Sequence, residues 1–353
     1  MAAEALAGVI RQLARRESIT GEALHAAFGD VMRGEGSAPQ VAALLMALRV
    51  KGETPDEVAG VVRALRDAMR SLPARDPDGL VDTCGTGGGT LTTFNISTAA
   101  ALLAAGCGVR VAKHGNRSFT SRSGSADVLE ALGIAIDLSP LGMAEVLEEA
   151  GIVFMFAPLM HPALRHVGPV RRELGVPTVM NLVGPLANPA HAGRQVVGVA
   201  EPARLDLMAE ALAHLGAVRA LVVHGAPGMD ELSPIGPTQV REVRFGRVHS
   251  WTIEPESLGI PPSDPADLSG GDPAENAAVI EAVLSGGGPT GARESVLLNA
   301  AAALYVGSHD LSFDASLAQA RDGLASGRGW EALERLRRAT RRVASGSPEG
   351  RAQ

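Results

Sequence analysis

Four glycines in five positions, Gly85 and Gly87 to Gly89, are the residues whose type and spacing most directly suit chemistry in this sequence. Glycine lets the backbone turn tightly and bring its N–H groups close to a ligand. The hydroxyl residues that follow, among them Thr93, Ser97 and Thr98, run into an Ala/Leu segment of helical character from Ser97. A helix N-terminus adds unpaired donors and partial positive charge. With Gly79-Leu80-Val81 as a strand-like lead-in, the stretch Asp82 to Ala100 reads as strand, glycine loop and helix start, suited to phosphate or pyrophosphate. It lacks the Lys-Ser/Thr of a P-loop, and its glycine spacing does not fit the dinucleotide fingerprint. A glycine-rich turn with no ligand would look the same in isolation.

Three further clusters follow strand-like runs. After Val109 to Ala112 come Lys113-His114-Gly115-Asn116-Arg117-Ser118, then Ser121, Ser123, Gly124, Ser125 and Asp127 at a helix start, a second anion-favouring loop. After Ile152 to Phe156 come Met160 and His161, then Arg165, His166, Arg171 and Arg172. On a single helix Arg165 and Arg172 would share a face and Arg171 would lie roughly 120° away; a wetted helix face is the simpler reading of Arg172. After Ala220 to Val223 come His224-Gly225 and Asp230-Glu231-Leu232-Ser233-Pro234. Adjacent carboxylates in a loop can reach one cleft, and hard oxygen ligands beside a phosphate site suggest Mg²⁺, although Asp-Glu pairs are common on surfaces.

The elements that must position these clusters are legible as patterns. Residues 1 to 71 read as four helices, with Leu6, Val9, Ile10 and Leu13 the first apolar set and Ser37 and Thr54 at N-cap positions. A linker at 72–78 precedes alternating strands and helices, the run Gln195 to Val199 included; 240–253 reads as two strands joined at Gly246, and helices return from Asn276. The fold class is α/β: a small all-helical N-terminal domain plus a larger α/β domain with a mostly parallel central sheet flanked by helices. In such sheets ligands bind outside the carboxyl ends of the strands, where the polar clusters fall.

At 353 residues, 46% hydrophobic and 20% charged, the composition is that of a globular α/β protein. A net charge of −7 gives no global attraction to nucleic acid. The two cysteines, Cys84 and Cys107, lack zinc spacing; Cys84 reads as small filler beside the loop. The longest apolar run, Ala99 to Gly108, is too short to span a bilayer, so a cytoplasmic protein without membrane partners is expected. Residues 345–353 read as a flexible tail.

Taken together the motifs resemble the anthranilate phosphoribosyltransferases, tryptophan-pathway enzymes of the nucleoside phosphorylase type II fold. The most specific matches are Gly85-Thr86-Gly87-Gly88, Phe94-Asn95-Ile96-Ser97-Thr98, Lys113 to Arg117, Gly124 to Glu130, Asn181 to Pro189 and Asp230 to Pro234; the likeness runs from Gly34-Glu35 to Val296–Tyr305. The resemblance implies transfer of the phosphoribosyl group of 5-phosphoribosyl 1-pyrophosphate to the amine of anthranilate, with Mg²⁺ as cofactor and a homodimer through the helical domain. It implies that Gly85, Thr86, Gly87, Gly88, Thr93, Asn95, Ser97, Thr98, Lys113 and Ser125 hold the phosphoribosyl donor. Gly85, His114, Asn116, His161 and Arg171 would line the anthranilate side, and Ser97, Asp230 and Glu231 would serve Mg²⁺. No single acid or base is implied; transition-state stabilisation falls to Lys113, Asp230 and Glu231 with the metal. The family topology also implies that 162–187 joins 1–71 in the helical domain, leaving 72–161 and 188–344 as the α/β domain.

The sequence departs from the family pattern at Gly89, where Asp is usual, at Met160, where His or Tyr is often found nearby, at Arg165 and at Pro177. A pyrimidine nucleoside phosphorylase on the same fold and a non-catalytic nucleic-acid-binding relative are the alternatives. The first lacks its lysine-serine signature here, and the second conflicts with the acidic balance.

Overall fold

The computed structural model describes residues 4–118 and 122–346. The chain opens with α1 (Glu4–Ala14), α2 (Gly21–Met32), α3 (Ala38–Lys51) and α4 (Pro55–Asp67). Ser37 Oγ accepts from Gln40 N and Thr54 Oγ1 from Glu57 N, and the Gln40 and Glu57 side chains reach back to the cap backbone. These two capping boxes satisfy donors that the first turn leaves unpaired, which fixes where α3 and α4 begin.

Strands and helices then alternate: β1 (Val81–Gly85), α5 (Ile96–Gly106), β2 (Val111–Gly115), α6 (Ser125–Ala131), α7 (Pro140–Ala150), β3 (Ile152–Phe156) and the short α8 (Ala157–Met160). After α9 (Gly168–Leu174) and α10 (Met180–Val183) come β4 (Arg194–Gly198), α11 (Leu205–His214) and β5 (Arg219–Gly225). The hairpin β6 (Thr238–Arg244) and β7 (Arg247–Ile253) turns at Phe245-Gly246, both with positive φ, and α12 (Pro273–Leu284), α13 (Thr290–Gly307), α14 (Phe313–Ala325) and α15 (Arg328–Gly346) complete the chain.

The seven strands form one sheet in the order β3-β2-β1-β4-β5-β6-β7. Pairing is parallel from β3 across to β5 and antiparallel in the hairpin. Successive strand residues feed opposite cores: Val196, Leu221 and Val223 join α5, α7, α13 and α15, while Val197, Ala220 and Val222 join α11 and the N-terminal helices. That is the period-2 alternation of a sheet covered on both faces.

Several expected boundaries move. Pro77–Gly79 is a 3-10 turn, so β1 starts at Val81 and carries Asp82, Thr83 and Cys84 to end on Gly85. The second strand begins at Val111 rather than Val109 and takes in Lys113 and His114, both buried. Helix α5 starts at Ile96, one residue before Ser97. No single helix carries Arg165 to Arg172: a 3-10 turn, Pro162–His166, ends at Val167, and α9 starts afresh at Gly168. Of the expected tail, Ser345 and Gly346 close α15, while 347–353, like Ser121 of the second loop, lie outside the described residues. No helix among the described residues is long and apolar enough to cross a membrane.

Candidate active site

The chain leaves β1 toward β2 and β3 on one side and returns as β4 on the other, so β1 and β4 flank the point where the strand order reverses. Helices leave that crevice open at the carboxyl ends of the strands. Gly85 and Gly198, paired in register, close the two strands there, and Asp230 sits on top of them. A Cβ on Gly85 would lie 2.5 Å from Asp230 Oδ2, and one on Gly198 only 1.6 Å from the Asp230 carbonyl oxygen. Gly198 is therefore required by the main-chain approach of that loop, whereas a side chain at Gly85 would displace the Asp230 carboxylate.

The glycine loop is anchored on its floor. Thr86 N donates to Gly198 O at 2.9 Å, Thr86 Oγ1 accepts from Ala200 N at 3.1 Å, and Gly87 N donates to Asp230 Oδ2 at 2.8 Å. Gly87 and Gly88 have φ of +70° and +81°, a conformation that side-chain-bearing residues rarely adopt. Gly89 is free of that constraint; a Cβ there would stand 3.4 Å from Asp230 Oδ1 and 3.0 Å from Gly228 O.

Lys113 reaches the same place from β2. Its ammonium is buried and donates to Thr83 O, to Thr83 Oγ1 at 3.3 Å and to Ser97 Oγ at 3.1 Å. Ser97 N, in the first turn of α5, donates to Glu231 Oε1 at 3.2 Å. One cation, a helix N-terminus and two carboxylates thus converge. Burial pushes both carboxyls above their usual range, Glu231 to about 8 with Asp230 beside it as the second cause, and pulls Lys113 down. Burial makes the charged forms of both carboxyls costly, a cost that a bound hard divalent cation would offset. Among the described residues no group of three or more His, Cys, Asp or Glu side chains gathers to hold a metal. The donor set fits Mg²⁺, which commonly takes one or two carboxylates and completes its shell with water and phosphate oxygens.

His114 and His161 form a second part of the crevice. Their ring centroids lie 5.0 Å apart, and each Nε2 is buried without a partner. Each ring is bonded to backbone through its other nitrogen, at Gly184 and Ala187 respectively, so Nε2 carries the lone pair and accepts. Burial lowers His114 to about 3, with His161 the next cause, and His161 to about 4. A ring kept neutral in the fold but protonated near 6.5 when unfolded gives stability that is full above pH 6.5 and lost as pH falls toward 4. His161→Gln is expected to flatten the acid-side fall of the melting curve, by on the order of 3 kcal/mol between those pH values. An unchanged slope of melting temperature against pH would refute this.

Asp82 fixes the height of His114. Its Oδ1 accepts from His114 N at 3.0 Å, and its Oδ2 accepts from Asn188 Nδ2 at 2.7 Å. Asn188 also accepts from Ala190 N at 2.8 Å, folding the 184–192 segment against β1 and β2. Asp82 and Asn188 lie within the Asp82–Ala100 and Asn181–Pro189 stretches, whose local pattern gives neither a role; an acid directly after the apolar Leu80-Val81 lead-in is the one local signal.

The remaining expected site residues divide. Asn95 is the N-cap of α5 and bonds Ser123 and Asn276, while Thr93 makes a β-bridge with Ser269. Ser125 Oγ donates to Asn116 O at 3.2 Å, which ties the second loop to α6. Arg117 is drawn into ion pairs with Asp127 and Glu130, both at 2.6 Å, and is a brace for that loop. Arg171 on α9 is half-buried and donates to Asn181 Oδ1 at 3.4 Å; Arg172 is exposed. Thr98 lines a small, mostly apolar cavity with Lys113, Leu102, Leu129 and Phe154, and its buried hydroxyl has no partner. Cys84 is packing, its thiol raised well above the usual range by burial and donating to Pro185 O at 3.5 Å. Met160 is fully buried in the core of the sheet.

A helical bundle thus stands beside an α/β sheet whose switch point gathers a glycine loop, a lysine and two carboxylates, and this architecture is that of a glycosyl transferase family. The glycosyl transferase family, helical bundle domain, matches residues 7–69, and the glycosyl transferase family, a/b domain, matches 77–330. The anthranilate phosphoribosyltransferase of Rubrobacter xylanophilus is 50% identical over 335 residues, 95% of this chain and 97% of that relative. The crystal structure of anthranilate phosphoribosyltransferase from Thermus thermophilus superposes with a TM-score of 0.89 at 44% identity, covering 94% of this chain and 99% of that one. The Saccharomyces cerevisiae enzyme, in complex with PRPP and Mg, does so at 0.85 and 26% identity, covering 96% and 98%. The chain belongs to the anthranilate phosphoribosyltransferase family.

Proposed function

We propose that the protein transfers the phosphoribosyl group of 5-phosphoribosyl 1-pyrophosphate to the amine of anthranilate, releasing pyrophosphate, as a step of tryptophan biosynthesis. The observation that carries this reading is the convergence of the glycine loop, Lys113 and Asp230-Glu231 at the β1/β4 switch point. Purified protein given the donor, Mg²⁺ and anthranilate is expected to consume anthranilate fluorescence; turnover of a nucleoside with phosphate instead would overturn the reading.

Breaking the C1–pyrophosphate bond leaves a cation-like ribose carbon and gathers negative charge on the leaving group. The glycine loop, the positive end of α5 and the Lys113 charge are fixed in advance beside the place where that charge gathers. Ser97, Asp230 and Glu231 would hold Mg²⁺, which supplies charge neutralisation at the pyrophosphate oxygens. An aromatic amine is unprotonated near neutral pH and needs positioning more than a strong base. The accepting Nε2 atoms of His114 and His161 match the N–H donors of such an amine, since both rings stay neutral there. Arg171 suits the anthranilate carboxylate, whose two oxygens its fork can bind. Arg171→Ala is expected to raise KM for anthranilate about 10- to 100-fold and leave KM for the donor unchanged. Equal changes in both constants in steady-state kinetics would refute that role.

At Gly89 a carboxylate would stand beside Asp230 Oδ1, and the backbone conformation there accepts a side chain if Gly228 yields a few tenths of an ångström. Gly89→Asp is therefore expected to tighten apparent Mg²⁺ affinity roughly three- to tenfold, the added Coulomb attraction exceeding repulsion between the acids. A Mg²⁺ titration of turnover that does not move would count against it. Residues 162–187 are read as part of the helical domain, since Val167, Val170, Val179 and Leu186 are buried in the core that holds α1 to α4. That domain is also the expected homodimer surface.

A further inference from the structure

The segment after β7 runs back over the second half of the glycine loop. Phe94 N donates to Leu268 O at 3.0 Å, and Gly270 N donates to Thr92 O at 3.0 Å. At the start of α12, Asn276 sits beneath this clasp with only 2% of its surface exposed. Its Oδ1 accepts from Gly271 N at 2.7 Å, and its Nδ2 donates to Asn95 Oδ1 at 2.9 Å. Asn95 Nδ2 in turn donates to Ser123 O at 3.3 Å. A backbone N–H can only donate and a backbone carbonyl can only accept, so the two ends of this chain fix the orientation of both side-chain amides.

We propose that Asn276 is a positioning residue for the phosphoribosyl donor, holding the Asn95 amide with its carbonyl turned inward so that its second N–H faces the site. This rests on the donor-site reading above. A ligand rich in phosphate and hydroxyl oxygens needs donors along the 85–97 wall, and a reversed Asn95 would present a carbonyl to those oxygens. Neither backbone clasp can prevent that reversal, because the side-chain torsion of Asn95 is set only by its own bonds. The Asn95 carbonyl has two donors, the buried Asn276 amide at 2.9 Å and Ser123 Oγ at 3.4 Å, and Asn276 is the shorter of them and the one that reaches it from the core.

Asn276→Asp tests this without changing shape. The carboxylate still accepts from Gly271 N but offers Asn95 only an acceptor, so the Asn95 carbonyl is repelled and its N–H groups are drawn from Ser123 O toward the charge. The expected result is about a tenfold loss of affinity for 5-phosphoribosyl 1-pyrophosphate, measured by calorimetry with Mg²⁺ and without anthranilate. The KM for anthranilate should stay near the parent's, while the buried carboxylate lowers the melting temperature. Asn276→Leu, apolar and similar in size, leaves Asn95 held by Ser123 alone, so a smaller loss is expected; it keeps the test open if the aspartate variant does not fold. Donor affinity unchanged in the folded variants, or a loss shared equally by both substrates, would overturn the assignment. Parent protein that fails to bind the donor would instead remove the function on which the assignment rests.

Discussion

Asp230→Asn combined with Glu231→Gln is expected to lower Mg²⁺-dependent turnover by about a thousandfold or more, the equivalent of roughly 4 kcal/mol of transition-state stabilisation. The ligand-free protein should nevertheless be no less stable. Both carboxyls are held above their ordinary values by burial, and each amide keeps the shape and the acceptor that Gly87 N and Ser97 N use. The sign follows from the direction of the shift. A carboxyl raised in the fold contributes stability that is present below its unfolded value, 4.5 for Glu231, and is lost as pH rises through about 8. Above pH 6.5 the His114 and His161 penalties are already gone, so the ligand-free parent should lose melting temperature between pH 6.5 and 8 while the variant stays flat. Turnover retained in the variant, or a parent slope that survives the substitution, would remove these residues from the site.

The sequence made the site legible where chemistry and local backbone coincide. Positive φ at Gly87 and Gly88 and the proximity of Ser97, Lys113 and Glu231 follow from a glycine run, a helix start and polar residues at strand ends. What it hid was depth. Lys113 and His114 look like loop residues, yet they lie inside β2, because Thr83, Ser97 and Asp82 satisfy their polar groups from neighbouring elements. Arg117 looks like an anion ligand, yet Asp127 and Glu130, ten and more residues away, take its charge. Thr98 shares a motif with Ser97, but one helical residue is a rotation of about 100°, which turns it to the mostly apolar cavity. The orphaned Nε2 atoms of His114 and His161, and the clasp of Asn276 on Asn95, depend on contacts between distant segments that no local pattern encodes. The fold class was more robust than strand ends, because alternation survives a shift of one or two residues.

Gly198→Ala is the smallest change with a large expected effect. The added carbon would stand 1.6 Å from Asp230 O and 2.4 Å from its carbonyl carbon, both main-chain atoms that cannot rotate away. Gly198 is paired within β4 to Gly85 and Val223, so the strand resists displacement, and the 226–232 loop must rise instead. That movement pulls Asp230 from Gly87 N and Glu231 from Ser97 N, the contacts that tie the carboxylates to the anion loop. Overpacking of this kind costs about 1–3 kcal/mol of stability. A displacement near 1 Å at the reacting centre costs on the order of a hundredfold in rate. The substitution is therefore expected to lower the melting temperature by several degrees and kcat by about 100-fold, with weaker Mg²⁺ dependence. Gly216→Ala, at a turn with nothing within 4 Å of the added carbon, serves as the control; its positive φ of +77° costs stability alone and should leave kcat unchanged. A Gly198→Ala enzyme with parental kcat and an unshifted Mg²⁺ titration would mean that the Asp230 loop is not held where turnover requires it by the end of β4.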